Sequence, residues 1–368
     1  MSENNLKTLK EKMNRYLCPP GNGVFTVNTA KERKEAFWKQ LYGSSLGVHE
    51  KWQADMEKLA DSKVALLGIP SDCGGGILRG ANWGPLFLRS ELIKEDLKYH
   101  DLGDVRVIPH LLLDKYLNQE TIESCRKALY QDGEFPLPVS PLSITEDFCN
   151  SYYATFSDKK LFSLGGDHSV SYPLTKSYLK AKKAQGKKVA LIHFDAHTDL
   201  LEERMGIDIC FGSWCTHILE DLLSPGHLIQ IGIRSSGHER GHWENKFGVQ
   251  QYWAEQVREE GPSKIADKII AYLKQNTIDE LYISYDIDAL DASYASATGT
   301  PELNGLSPHE SMIILQELAA SFPFGGADLV EVAPFLATDL KGESPEPQTT
   351  LLSATTLIRF IISKMGED

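Results

Sequence analysis

The run Leu191-Ile192-His193-Phe194-Asp195-Ala196-His197-Thr198-Asp199 carries an apolar segment, Val189 to Ile192, straight into Asp-x-His-x-Asp. If the chain stays extended there, side chains alternate in direction and Asp195, His197 and Asp199 converge on one side. On a helix the same residues would spread over more than half a turn. Carboxylates with an imidazole offer hard oxygens and one borderline nitrogen, a set suited to Mn, Ni or Zn. The period recurs in Asp286-Ile287-Asp288, after the apolar run Leu281 to Tyr285, and Leu161-Phe162-Ser163-Leu164 leads into Gly165-Gly166-Asp167-His168-Ser169. Together His168, Asp195, His197, Asp199, Asp286 and Asp288 are too many ligands for one tetrahedral ion and suit two divalent cations with shared carboxylates. Without cations such a cluster repels itself and pushes its pKa values up. Two ions about 3.5–4 Å apart lower the pKa of a water between them toward neutrality, which points to hydrolysis. Glu331, flanked by Val330 and Val332, is predicted to sit in a strand pointing opposite to both, with a functional carboxylate.

The elements that must position these groups alternate. Strands are predicted at Val64–Pro70, Leu161–Leu164, Val189–Phe194, Leu228–Arg234, Leu281–Asp288 and Ala327–Pro334. Between them, helical patterns cover Lys7–Tyr16, Pro85–Leu97, Tyr116–Tyr130, Ile144–Phe156, Tyr172–Ala184 and Ser263–Gln275. A capping box at Ser307–Glu310 opens a further helix, and Thr350–Lys364 forms the last. This alternation gives an α/β fold with a mainly parallel sheet covered on both faces, and ligands bind beyond the carboxyl ends of its strands. The candidate ligands all fall at such ends. His193 shares their parity but sits back in its strand and reads as a buried core histidine. The glycine-rich loop Ser71–Ala81 fails the dinucleotide and P-loop patterns, because Arg79 holds the third glycine position and no Gly-Lys-Ser/Thr follows.

Residues 1–60 read as an amino-terminal extension, and 61–368 as the catalytic domain. Trp38, Leu41, Tyr42 and Trp52 in the extension pack either on their own domain or over a neighbouring subunit or the site's mouth. A formal net charge of -13 argues against nucleic acid and anionic membranes as partners. The start lacks an apolar core, and no run of about 18 apolar residues occurs. The six cysteines show no Cys-x-x-Cys spacing and read as free thiols of a cytoplasmic protein.

As a set, Gly-Gly-Asp-His-Ser at 165–169, Asp-Ala-His-Thr-Asp at 195–199, Ser-Tyr-Asp-Ile-Asp-Ala-Leu-Asp at 284–291 and Glu-Val-Ala-Pro at 331–334 resemble the arginase/agmatinase (ureohydrolase) family. The resemblance covers residues 62–365. It implies a three-layer α/β/α fold, a binuclear Mn site (Ni in some members), a trimer or hexamer, and hydrolysis of a guanidino C–N bond with release of urea. It implies the ligand set His168, Asp195, His197, Asp199, Asp286 and Asp288. Glu331 would hold the guanidinium as a bidentate partner, with Thr300 beside it. Asp199 would orient the nucleophile and pass a proton to the leaving amine.

Departures from the family pattern bear on the substrate. Leu201 stands where arginases carry the asparagine that reads arginine's amino-acid end. Phe211, in Cys210-Phe211-Gly212-Ser213-Trp214, stands where relatives carry a histidine. An aromatic ring there would shrink and dry the pocket and stack on a planar cation. Phe211 and Trp214 are thus expected to line the site of a small cationic guanidino substrate, free guanidine first and agmatine or a short guanidino acid second. An inactive, metal-binding partner subunit is the reading of another class. A formiminoglutamate hydrolase lacks a basic cluster here beyond Arg204 and Arg234.

Overall fold

The computed structural model describes residues 3–24, 26, 28–131, 136–336 and 347–367. Val64-Ala65-Leu66-Leu67 and Val189-Ala190-Leu191-Ile192 are apolar at both parities, as strands covered on both faces must be. They form β2 (Val64–Ile69) and β5 (Val189–Phe194) of one sheet. Its other strands are β1 (Leu17–Cys18), β3 (His100–Val105), β4 (Lys160–Gly165), β6 (Leu228–Ile231), β7 (Gln250–Tyr252), β8 (Glu280–Asp286) and β9 (Phe324–Val330). Among the described residues the order is β1-β3-β2-β4-β9-β8-β5-β6-β7. Every pairing is parallel except β1 with β3.

Alternate side chains feed two cores. Leu66, Phe162, Ile192 and Ile283 pack beneath the helices Gly84–Leu92, Pro262–Gln275, Pro308–Ser321 and Gln348–Gly366. Leu67, Leu161, Leu191 and Tyr282 pack beneath Pro141–Thr155 and Ser171–Ala184 on the opposite face. The fold is a three-layer α/β/α sandwich. Ser307 caps its helix as expected, its Oγ accepting from Glu310 N–H while Glu310 accepts from Ser307 N–H. Among the described residues no helix is long and apolar enough to cross a membrane.

The sheet continues into strands that apolar periodicity did not reveal. β3 reads His-Asp-Leu-Gly-Asp-Val and is nonetheless buried throughout. Its charges are matched: Arg89, fully buried, donates Nε to Asp101 Oδ2 at 2.8 Å and Nη2 to Asp101 Oδ1 at 2.9 Å, and also bonds Asp104. Asp104 Oδ2 then accepts from Gly21 N–H (2.8 Å) and Gly23 N–H (3.1 Å), clasping the amino-terminal segment to the sheet. Trp52 is buried with its indole donating to Leu102 O at 3.0 Å, and Tyr16 donates its hydroxyl to Asp147 Oδ2 at 2.6 Å. These amino-terminal residues lie on their own chain.

Arg89→Met would leave the carboxylates of Asp101 and Asp104 buried and unpaired. Breaking a buried pair from one side costs about 3–5 kcal/mol. Urea unfolding should register that loss; an unchanged midpoint would show that the pair is not what holds β3.

Candidate metal centre

β4, β9, β8 and β5 lie side by side in the sheet, so their carboxyl ends open onto one place. His168 follows β4, Glu331 follows β9, Asp286 closes β8, and Asp195 follows β5. The side chains form two groups. In the first, His168 Nδ1 lies 3.1 Å from Asp195 Oδ2, 3.2 Å from Asp199 Oδ2 and 3.1 Å from Asp286 Oδ2. In the second, His197 Nδ1 lies 3.3 Å from Asp195 Oδ1 and 3.1 Å from Asp288 Oδ2. Asp195 belongs to both and turns a different oxygen to each. Potential donor atoms of His168, His193, Asp195 and Asp199, and separately of Asp195, His197 and Asp288, lie within 4.8 Å of one another.

The six expected ligands therefore come together, but not by the geometry that strict alternation predicts. β5 ends at Phe194, and Asp199 takes a left-handed backbone with φ 50°. The turn sends His197 to one group and Asp199 to the other. Likewise Asp286 and Asp288 do not face the same way. A 3-10 turn, Ile287–Ala289, follows Asp286, whose Oδ1 accepts from Asp288 N–H at 2.8 Å. Glu331 is also not a strand residue. β9 stops at Val330, and Glu331 has φ 64°. Left-handed conformations are costly for residues with a Cβ, and such outliers cluster at functional sites.

Hydrogen bonds show which atoms face the centre. Ser284 Oγ donates to Asp328 Oδ1 at 2.8 Å, so it accepts from His168 Nε2 at 3.1 Å. Tyr282 and Ser171 hydroxyls also donate to Asp328, at 2.7 and 2.9 Å. With its proton on Nε2, His168 presents a bare Nδ1 to three carboxylates, and that buried atom has no hydrogen-bond partner. Among protein groups alone, Asp199 and Asp286 are pushed well above the carboxylate range, first by burial and then by neighbouring carboxylates. His168 is raised well above its usual value. Burial opposes the rise, but the Asp195 and Asp286 carboxylates beside Nδ1 outweigh it. The pocket is a sink for positive charge. Two dications would satisfy it while leaving both imidazoles neutral, and the mixed O/N donor set fits a first-row metal.

The expected pocket residues are placed differently. Trp214 was expected to line the substrate site. Instead it is fully buried behind the cluster, donating Nε1–H to Asp199 Oδ2 at 2.8 Å, with its ring 4.9 Å from His168. Thr300 was expected beside Glu331, but it donates to Asp288 Oδ2 at 2.9 Å. Gly299 is the neighbour of Glu331: a Cβ built there would lie 3.6 Å from Glu331 Oε2. Glu331 Oε1 accepts from His168 N–H at 2.9 Å. Burial, then Asp286 and Asp167, holds the Glu331 carboxyl well above its usual value, as suits a group that waits for a cation. Phe211 N–H bonds Gly74 O at 3.0 Å, and the planar cation over its ring is the chain's own Arg204, 5.0 Å from the centroid. Beside it lies a cavity of about 450 Å³, lined in part by Cys73–Ile77, Leu112, Tyr116 and Phe211. His193, expected to be plain core, has its Nε2 2.9 Å from Asp195 Oδ2, which accepts. Its shared parity with the ligands was the signal. Asp328, an acid within an apolar strand, was the signal for the support of His168.

The arginase family's sequence profile matches residues 62–363. The chain belongs to the arginase family. As a ureohydrolase, it is a hydrolase of C–N bonds in linear amidines. A guanidinobutyrase of Pseudomonas aeruginosa is 28% identical over 315 residues, 81% of this chain and 85% of its own length. An agmatinase of Chromobacterium violaceum is 31% identical over 309 residues, covering 80% of this chain and 85% of its own. The solved formimidoylglutamase of Bacillus subtilis superposes with a TM-score of 0.65 at 23% identity, over 83% of this chain and 88% of that one, a likeness of fold.

In this arginase-family centre the two ends of Asp195 serve different groups, whereas Asp288 serves one. Elemental analysis should find Asp195→Ala stripped of both metals and Asp288→Ala of one. Full occupancy in both variants would contradict the assignment.

Proposed function

We propose that the chain is a binuclear Mn or Ni ureohydrolase that cleaves a guanidino C–N bond and releases urea, acting first on a guanidino compound with a short tail. The observation that carries this reading is Glu331: a buried carboxylate held at one oxygen by a backbone N–H, next to a cluster built for cations. A guanidinium offers paired N–H groups that match a carboxylate fork. His168, Asp195, His197, Asp199, Asp286 and Asp288 would hold the ions. When bound, such a pair supplies water of lowered pKa and stabilises developing negative charge.

The chain's own groups do the rest. Glu331 fixes the guanidinium plane. Trp214 occupies Asp199 Oδ2, so Asp199 Oδ1 is the atom left to hold a proton and deliver it to the leaving amine. Thr300 holds Asp288 in place.

For the substrate, the relatives named guanidinobutyrase and agmatinase support a tail-bearing compound. So does the cavity of about 450 Å³, within the range of small-molecule sites. Phe211 is one wall of that cavity. Among the described residues the lining of that cavity includes Arg79, His110 and Arg204 and no carboxylate side chain, which supports a tail ending in a carboxylate rather than an amine. Free guanidine is the second reading, favoured by Leu201 and Phe211 in place of polar residues that would read a tail. Six free cysteines support a reducing, cytoplasmic setting. A homo-oligomer, trimer or hexamer, follows from the family.

The test is urea release from 4-guanidinobutyrate, agmatine, guanidine and arginine after loading with Mn or Ni in turn. Guanidinobutyrate should turn over best and arginine not at all. Turnover of arginine alone would overturn the pocket reading. Two bound metals with no urea from any compound would favour a non-catalytic partner subunit. Glu331→Gln should keep its metals and lose about 2–5 kcal/mol in kcat/KM, the range for breaking one side of a buried charge pair.

A further inference from the structure

His193 lies on β5, fully buried, one alternation before Asp195. Its ring is walled by Trp214 and His168, with centroids 5.3 and 5.0 Å away. Nε2 lies 2.9 Å from Asp195 Oδ2, the oxygen that also faces His168. Nδ1 lies 2.9 Å from Gln230 Nε2 on the neighbouring strand β6. A histidine and a glutamine can each be turned over without changing these distances, so their protons must be assigned from groups that cannot turn.

Both ends of this chain of side chains are such groups. At one end, the Gln230 amide lies 2.6 Å from Thr198 O, a backbone carbonyl that can only accept. Gln230 must therefore present its NH2 there. At the other end, Trp253 Nε1–H, which can only donate, lies 3.2 Å from Gln251 Oε1. Gln251 then offers its own NH2 to Gln230 Oε1 at 2.7 Å. The two ends agree: Gln230 carries its oxygen toward Gln251 and its nitrogen toward Thr198 and His193. Its two N–H bonds are divided between Thr198 O and His193 Nδ1. His193 Nδ1 is thus an acceptor. The Cys215 thiol lies 3.7 Å from the same atom. The one remaining ring proton sits on Nε2 and points at Asp195 Oδ2.

We infer that Gln251, Gln230 and His193 form a buried relay that fixes the histidine tautomer and thereby holds the Asp195 carboxylate across both halves of the metal centre. Gln230 is its positioning residue. Asp195 Oδ1 is held from its other side by His197 N–H at 2.6 Å. With one donor at each oxygen the carboxylate plane cannot rotate, and each oxygen keeps a lone pair for its own group. Outer partners of this kind set ligand orientation, and their loss costs roughly 10–100-fold in metal affinity or activity.

Gln230→Glu tests this in the intact chain. The side chain keeps its shape but replaces the donor with an acceptor. It faces the Nδ1 lone pair and Thr198 O with oxygen, and favours a proton on His193 Nδ1. The first readout is 15N NMR of the metal-free protein. The wild type should show His193 as the neutral Nε2–H tautomer, and the variant should not. The second is Mn binding in competition with a chelator, where the variant should bind roughly 10–100-fold more weakly. A wild-type Nδ1–H tautomer overturns the relay. So does wild-type Mn affinity in the folded variant. If Gln230→Glu does not fold, Gln230→Met removes the donor without adding charge: weakened Mn binding supports the relay and unchanged binding overturns it. The inference rests on the metal-centre reading. The tautomer readout needs no metal, so a failed relay and a failed metal centre give different results.

Discussion

Four buried aspartate carboxylates, the buried His168 imidazole and the half-buried His197 imidazole are crowded where β4, β9, β8 and β5 end. Their mutual repulsion is the constraint that the rest of the site answers. Burial alone drives Asp199 and Asp286 toward the protonated form, and each neighbouring carboxylate adds to it. Asp195 goes the other way. Burial would raise it, but the three histidines beside it, His168, His193 and His197, hold it well below the usual range. One carboxylate that favours its charged form thus sits at the junction of two groups, and bound cations would compensate the others. Without that division of roles the cluster would be a liability to the fold.

The scaffold pays for the arrangement in backbone strain and in outer hydrogen bonds. Asp199 and Glu331 both adopt left-handed φ, where a glycine would be easier. Each is held there by what it touches. Asp199 is fastened by the Trp214 indole, and Glu331 by His168 N–H and by its own N–H to Gly166 O at 2.8 Å. On the far side of His168, Ser284 and Asp328 fix the tautomer, with Tyr282 and Ser171 completing the carboxylate's bonds. These residues lie inside strands or on the helix that follows, so the rigid sheet carries the precision of the site.

Much of this was legible in the sequence, for a physical reason. Apolar runs such as Val189–Ile192 mark strands covered on both faces, and ligands at their carboxyl ends mark a shared site. What periodicity cannot express is a polar strand whose charges are matched by a distant residue. β3 was missed because Asp101 and Asp104 are balanced by Arg89, a residue on a helix earlier in the chain. Nor can alternation see where a strand stops. β5 stops at Phe194 with a left-handed Asp199 beyond it, and a 3-10 turn begins right after Asp286, so neighbouring ligands that should share a face serve opposite groups. Trp214 was misread for a related reason: an aromatic residue near a pocket in sequence can point into the structure behind it. The loop that bears Phe211 was judged by the size and aromatic face of that one side chain. The space beside that ring is set by the glycine-rich loop and by Leu112 and Tyr116, which no local pattern connects to it.

The sharing of Asp195 is the central claim, and anomalous X-ray diffraction from Mn-loaded crystals measures it most directly. The account predicts two ions about 3.5–4 Å apart, with Oδ2 of Asp195 on the ion beside His168 and Oδ1 on the ion beside His197. A single ion, or two ions with Asp195 bound to only one of them, would contradict it.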